Sequence, residues 1–136
     1  MTKTTGIAEL FSLAGKKILG VNPPVVDFAF FDLWSKPMGL LYLLGKMRKL
    51  GSQVELIDCI HEGAVGVKTC GREKIGSVEL EKPAVYAGIR RKYHRFGLSE
   101  EAFRLRLRGA ASPDCVFLTS VITYWYPRVR WAAVAI

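Results

Sequence analysis

Few side chains in this sequence have types and spacings that suit catalysis. Asp27 and Asp32 lie in one aromatic segment and are candidate acid–base groups, although hydrogen bonding within a loop is the commoner role of aspartate there. His61 follows an apolar run, and His94 lies among arginines, which predicts a surface position. The sequence contains no nucleophile-elbow, zinc-protease or phosphate-loop motif. No catalytic set emerges, which leaves ligand binding as the chemistry to look for.

The three cysteines, Cys59, Cys70 and Cys115, form neither a disulfide framework nor a metal site. Their number is odd, and they lack the close pairing typical of zinc sites and iron–sulfur clusters. We expect them to be reduced and largely structural, and we predict no metal ligand. No apolar run approaches the roughly 18 residues of a membrane span, and the first residues do not form a convincing signal peptide. A cytoplasmic protein is the simplest interpretation.

The formal charge of +8 is unevenly distributed. Residues 90–108 contain seven of the basic side chains against only Glu100 and Glu101. Such a patch could attract phosphates, but it also fits a solvated surface or a face that meets an acidic neighbouring domain. Nucleic-acid binding is the less favoured alternative, because no recognised nucleic-acid motif accompanies the charge.

The first half of the chain predicts a strand–helix–strand unit. Residues 17–21 form an apolar run typical of a strand covered on both faces, and residues 53–58 supply the next predicted strand. Between these two predicted strands, Pro37 suits a first helical turn and Gly51 suits a helix end. The helix between those two residues has an apolar stripe, which consists of Leu40, Leu43, Leu44, Met47 and Leu50. These lengths indicate a βαβ unit with parallel strands.

Residues 59–112 then interrupt this pattern. They are rich in glycine and charge, and a short helix is predicted at 100–108. A connection of this length predicts an inserted, functional segment. A third buried strand is predicted at 115–119, and an apolar helix begins near Pro127. The fold class expected is therefore α/β, with a Rossmann-like or flavodoxin-like parallel sheet of three strands in the order 2-1-3. Residues 1–15 would be an extension before this domain, which occupies 16–136.

The carboxy-terminal helix has no evident end signal. Val129, Ala132, Ala133 and Ile136 have helical spacing, but no glycine, asparagine or polar turn follows them. We expect either that this helix docks on a partner or that the natural protein continues into further strands. An exposed third strand and an apolar helix would favour self-association.

The expected ligand site lies outside the carboxyl ends of the first and third strands. In the order 2-1-3 the strand order reverses there, and open parallel sheets bind ligands at that point. The two loops are NPPVVDFAFFDLWSKPMG and TSVITYWYP, which are aromatic and lightly charged. They suit a large, flat, mostly apolar ligand with amide or hydroxyl edges, although the aromatics could equally be core residues.

Residues 17–59 resemble the amino-terminal cobalamin-binding domain of the cobalamin-dependent radical S-adenosylmethionine proteins. The resemblance rests on the strand that runs into N-P-P, on the K-P-x-G-L-x-Y-L helix and on the L-I-D strand ending. KPAVYAGIRRKYHRFGLSEEAFRLRL and PDCVFLTSVITYWYP resemble later parts of the same domain. The family implies a Rossmann-like domain that holds cobalamin, beside a barrel that carries C-x-x-x-C-x-x-C, an iron–sulfur cluster and S-adenosylmethionine. That cysteine motif is absent here, so the resemblance implies a cofactor-binding module without turnover of its own.

The resemblance also implies which residues would hold the corrinoid. The loop after the first strand would meet the corrin edge or lower face, the helix start would approach it closely, and hydroxyls after the third strand would line the other side. These residues are Asn22, Pro23, Pro24, Pro37, Gly39, Leu40, Thr119, Ser120, Thr123 and Tyr124. His61 is disfavoured as a cobalt ligand, because the related D-x-H-x-x-G motif of methionine-synthase-type domains follows the first strand. The alternative is a relict or interaction module of the same fold that binds no cofactor.

Overall fold

The computed structural model describes residues 12–29, 34–120, 122 and 125–136. Within them the chain forms eight strands and three α-helices, with a 3-10 turn at Ala84–Tyr86. The strands are β1 (Lys17–Asn22), β2 (Val25–Asp27), β3 (Gln53–Asp58), β4 (Ala64–Val67), β5 (Glu73–Ile75), β6 (Ser77–Leu80), β7 (Tyr93–Phe96) and β8 (Cys115–Leu118). The helices are α1 (Met38–Lys49), α2 (Glu100–Gly109) and α3 (Tyr126–Ala135).

A parallel sheet of three strands forms the centre of the fold, in the order β3-β1-β8. Ile18 of β1 pairs with Val54 on one side and with Cys115 on the other. The predicted α/β class and the parallel pairing of the first two predicted strands are therefore confirmed. β1 is a continuous hydrophobic run because both of its faces are covered, so neither face needs polar side chains.

Helices cover the two faces of β1. On one face, Ile18 packs with Leu40, Leu44 and Met47 of α1. On the other, Leu19 and Val21 pack in a cluster that includes Phe103 of α2 and Ala132 of α3. Because neighbouring strand residues point to opposite faces, the single run of β1 supplies both cores.

The segment between β3 and β8 contains far more β-structure than its sequence predicted. It forms the hairpin β4-β5 and the strands β6 and β7, and β7 lies between β2 and β6 in an antiparallel sheet. The short helix was predicted correctly, and Ser99 caps it by accepting a hydrogen bond from the Ala102 N–H at 3.1 Å. These strands are short and mostly exposed, so they lack the alternation of apolar and polar residues that predicts a strand.

The prediction of one continuous loop after β1 was partly wrong. Val25–Asp27 forms β2, which pairs with Tyr93–Phe96 of the distant segment. This pairing also corrects the prediction for His94, which is half-buried in β7 opposite Asp27 instead of lying free on the surface. Asp32, Phe30 and Phe31 of the same loop lie outside the described residues.

The predicted helix was correct in its ends but not in its whole apolar stripe. Pro37 precedes its first turn and Gly51, with φ +90°, follows its last. Leu43 and Leu50 are 42% and 48% exposed, so they do not belong to the buried stripe. In α3, Ala132 is buried as expected, whereas the terminal Ile136 is 46% exposed. Among the described residues, no helix has the length and apolar character needed to cross a bilayer.

Candidate functional site

The carboxyl ends of β1 and β3 are joined by a buried hydrogen bond between side chains. Asn22 and Asp58 occupy paired register positions, and the Asn22 Nδ2 donates to Asp58 Oδ1 at 2.8 Å. Both residues are less than 10% exposed. The backbone continues this bridge, since the Cys59 N–H donates to the Asn22 carbonyl at 2.9 Å. Asn22 therefore stabilises the edge of the sheet, and its amide nitrogen already has an acceptor.

The structure brings five of the sequence-predicted site residues together. Asn22, Pro23 and Pro24 meet Thr119 and Ser120 around one crevice, whose other walls are Val25, Trp125 and Val129. Both prolines are buried, and the crevice has a volume of only about 10 Å³. It is thus a packed joint between the ends of β1 and β8, with room for hardly more than a water molecule.

The remaining predicted residues lie apart from this joint or outside the described residues. Pro37 and Leu40 are buried at the start of α1. Gly39 is exposed, and a Cβ built there would meet nothing within 4 Å. Thr123 and Tyr124 lie outside the described residues.

A larger cavity opens beside the joint, at the same edge of the sheet. Its volume is about 210 Å³, and it is lined by Asn22, Val25, Trp34, Ser35, Ile60, Ile122 and Trp125. The Trp34 ring packs against Trp125 and Phe96, with centroids 5.3 and 5.0 Å away. Its Nε1 is buried and has no hydrogen-bond partner, whereas the Trp125 Nε1 donates to Asp27 Oδ2 at 3.0 Å. An unpaired buried N–H is costly, and a ligand carbonyl or other acceptor would satisfy it.

Sequence reasoning placed Trp34 and Trp125 in the two aromatic loops of the expected site, without assigning either of them a role there. Trp34 lies between β2 and α1, and Trp125 follows β8, so the position of both loops beyond parallel strands was a usable signal. Ile60 follows β3 in an apolar run and gave no separate signal. The hydrogen-bonding role predicted for Asp27 is confirmed, since its Oδ1 accepts the Phe28 N–H and its Oδ2 accepts from Trp125.

His61 is held by the inserted segment and does not face the cavity edge as a free ligand. Its Nδ1 bonds Glu73, a contact that lowers the pKa of the Glu73 carboxyl. Its Nε2 is buried and has no partner. Coordination of an external metal by this imidazole would therefore require the ring to turn outward. Among the residues that the structure describes, no group of three or more His, Cys, Asp or Glu is placed to hold a metal ion.

The neighbouring acidic groups form a structural network. Glu62 accepts from the Asp58 N–H at 3.1 Å and from the Arg106 Nε at 2.6 Å. The contact with Glu62 raises the pKa of Arg106, and burial raises the pKa of the Cys59 thiol. This network ties α2 to the end of β3, and the inert thiol is not suited to nucleophilic chemistry.

The basic patch at 90–108 is not a uniform free surface. Arg106 is paired with Glu62 and lies 3.7 Å from Glu55, and the Arg95 Nε is buried without a partner. Lys92 pairs with Glu79 at 2.7 Å. The exposed charges that remain are those of Arg90, Arg91, Arg104 and Arg108.

The described residues form a mixed α/β protein with a parallel sheet of three strands and two antiparallel sheets. Comparison with protein-family models, with curated proteins and with solved structures gives no significant match. The assignment of function therefore depends on the geometry of this chain.

Proposed function

We propose that the chain is a ligand-binding module of Rossmann-like type that binds a corrinoid at the carboxyl edge of the sheet. The observation that carries this proposal is the 210 Å³ cavity at that edge, whose lining residues include Trp34, and the buried Nε1 of that side chain has no hydrogen-bond partner. The central position of β1 supports it, because open parallel sheets bind ligands outside the strand ends.

The residues fit one part of a corrinoid and not the whole. Enclosed ligand sites commonly have volumes of about 300–1,000 Å³. The cavity is smaller than that, so it would accept an amide-bearing edge group while the macrocycle lay across the open surface. The aromatic walls suit a flat apolar ligand, and Trp34 would donate to an amide carbonyl. The Nδ1 of His61 is bonded to Glu73 and its Nε2 is buried, which favours binding without a cobalt ligand from His61.

A bound cobalamin would supply group transfer at cobalt, and the chain's own residues would only position it. Asn22 and Asp58 would keep the strand ends together, Trp34 would orient the edge group, and Trp125 would exclude water. A radical S-adenosylmethionine domain is the proposed catalytic partner, so the module by itself would not turn over substrate.

The test is a spectral titration of the purified protein with hydroxocobalamin, followed by gel filtration. Retention of the corrinoid spectrum is expected. Trp34→Phe keeps a ring but removes the donor, so it should weaken binding about two- to tenfold, which is the value of one hydrogen bond. Trp131→Phe, in α3 and outside the cavity lining, is the matched control and should leave affinity unchanged. Because His61 Nε2 is buried, His61→Ala should not move the band positions. A folded sample that retains no corrinoid would overturn the proposal.

The second candidate is an interaction module that binds no cofactor. It is favoured by one observation, the exposed apolar side chains on the outer side of α1.

A further inference from the structure

The outer side of α1 exposes large apolar side chains that the fold does not cover. Leu40, Leu44 and Met47 face the sheet. On the opposite side, Met38 is 65% exposed and Tyr42 is 84% exposed. Exposed apolar side chains that are clustered on one face are typical of interaction surfaces.

A groove interrupts this surface at Gly45. It has a volume of about 320 Å³ and is lined by Leu41, Tyr42, Gly45, Lys46 and Lys49. Glycine destabilises a helix interior relative to alanine, and a Cβ at Gly45 would meet nothing within 4 Å. The fold itself therefore does not require glycine at position 45. A partner side chain that packed into the groove would require it, because any larger residue would occupy the same space.

The charge on α1 has one sign and lies at one end. Lys46, Arg48 and Lys49 occupy its last turn, and the helix contains no acidic residue. All three are exposed, and none takes part in an ion pair with another described residue. A partner with carboxylates would complement these cations.

We propose that this face, the outer face of α1, binds an amphipathic helix of a partner protein. The helix would place an apolar side chain in the Gly45 groove, pack against Met38 and Tyr42, and carry acidic side chains toward Lys46 and Lys49. Binding of an apolar helix stripe in a groove is a common recognition mode.

The observations favour an acidic helix over the other possible occupants. A second copy of α1 has no carboxylate to offer to the cations. An anionic membrane suits helices with basic residues along the whole polar face, but here the cations are confined to the last turn and the surface is concave at Gly45. This inference is independent of corrinoid binding, because the face lies on the solvent side of α1.

The test uses two labelled helical peptides with the same stripe of leucine and phenylalanine. One carries glutamate beside the stripe and the other carries lysine at the same positions. In fluorescence anisotropy we expect the acidic peptide to bind at least tenfold more tightly than the basic one, and to lose affinity as NaCl rises from 50 to 500 mM. Equal binding of the two peptides, or no binding of either, would show that the proposal is wrong.

Variants place the binding on this face. Gly45→Ala puts a methyl group into the groove where the partner side chain would pack, so it should weaken binding. It should also raise Tm by about 2–6 °C, because alanine is the better helix former. If Gly45 had only a structural role, the substitution would raise Tm without weakening peptide binding. The Lys46→Ala/Lys49→Ala double variant should lose affinity for the acidic peptide about tenfold. Its matched control is Arg104→Ala/Arg108→Ala on α2, and Gly109→Ala is the glycine control; both should bind as the wild type does.

Two further measurements distinguish the occupants. Sedimentation with phosphatidylserine vesicles should recover no protein, and gel filtration should show no dimer that depends on the outer face of α1. Vesicle binding or dimerisation that Gly45→Ala or the double lysine variant abolishes would assign the face to lipid or to a second copy, and would overturn the proposal.

Discussion

Replacement of Gly97 by alanine tests how the inserted segment is fastened to the sheet. Gly97 follows β7 and has φ +95°. A Cβ at this position would overlap the Cys59 carbonyl oxygen and lie 3.0 Å from its carbon. That oxygen accepts the Leu98 N–H at 2.8 Å, so the clash falls on a hydrogen bond that anchors the segment beside the carboxyl end of β3. Gly63 lies on the other side, where an added Cβ would be 2.5 Å from Gly97 Cα.

The expected loss of stability follows from two contributions. A non-glycine residue with positive φ costs about 1–2 kcal/mol, and a lost backbone hydrogen bond costs about 0.5–1.5 kcal/mol. Displacement of packed backbone adds to these, so Gly97→Ala should lower the free energy of unfolding by about 2–4 kcal/mol. Gly71→Ala is the matched control, because Gly71 has φ +79° and a Cβ there meets nothing within 4 Å. It should lose only the conformational part, about 1–2 kcal/mol.

Urea unfolding of both variants, followed by far-UV circular dichroism and tryptophan fluorescence, measures the difference. We expect the midpoint of Gly97→Ala to fall well below that of Gly71→Ala, with similar m-values. Equal losses in the two variants would refute the close approach of Gly97 to Cys59, since backbone conformation alone would then account for the effect.

Three further predictions concern the core, the pH dependence and the thiols. Phe103→Ala should lower the free energy of unfolding, measured by urea unfolding, by about 3–5 kcal/mol, because the ring is fully buried. Leu105 on the same helix is 65% exposed, so Leu105→Ala should change this free energy by less than about 0.5 kcal/mol. The backbone N–H that begins β1 holds the pKa of the Asp114 carboxyl below its ordinary value of 3.8. Its stabilising contribution is therefore present above that pH and is lost as the pH falls through the lowered pKa; the midpoints of Asp114→Asn and the wild type should differ at pH 6 and converge at pH 2. With a disulfide reagent at pH 8, exposed Cys70 should react at once. Buried Cys59 should react only after unfolding, because burial raises the pKa of its thiol. Rapid labelling of Cys59 in the native protein would contradict its position in the core.

Local patterns were sufficient where one segment carries its own signal. The strand β1 is an apolar run because both of its faces are buried, and α1 lies between a proline and a glycine that suit helix ends. Asn22 could be selected as a residue at the strand ends because it directly follows a predicted strand. Corrinoid binding, by contrast, remains a prediction, which the hydroxocobalamin titration tests.

Other features depend on residues that are distant in the chain. Val25–Asp27 is a strand only because Tyr93–Phe96 lies beside it. Neither segment has a sequence pattern that predicts its pairing with the other. The cavity has its shape because Trp34 and Trp125 meet after separate strands. A pattern of residue types records local preference, whereas a long-range pairing is chosen by the packing of the whole chain.

The sequence by itself determined the α/β class, the ends of α1 and the apolar runs that become the parallel strands. The tertiary structure alone decided which apolar residues are buried: Leu44 packs on the sheet, while Leu43 beside it is 42% exposed. It also decided that the Asn22 amide bonds Asp58, since this contact follows from the register of two strands. The physical reason is that periodicity is a property of one element, but burial and hydrogen-bond partners are properties of the surface that the element meets.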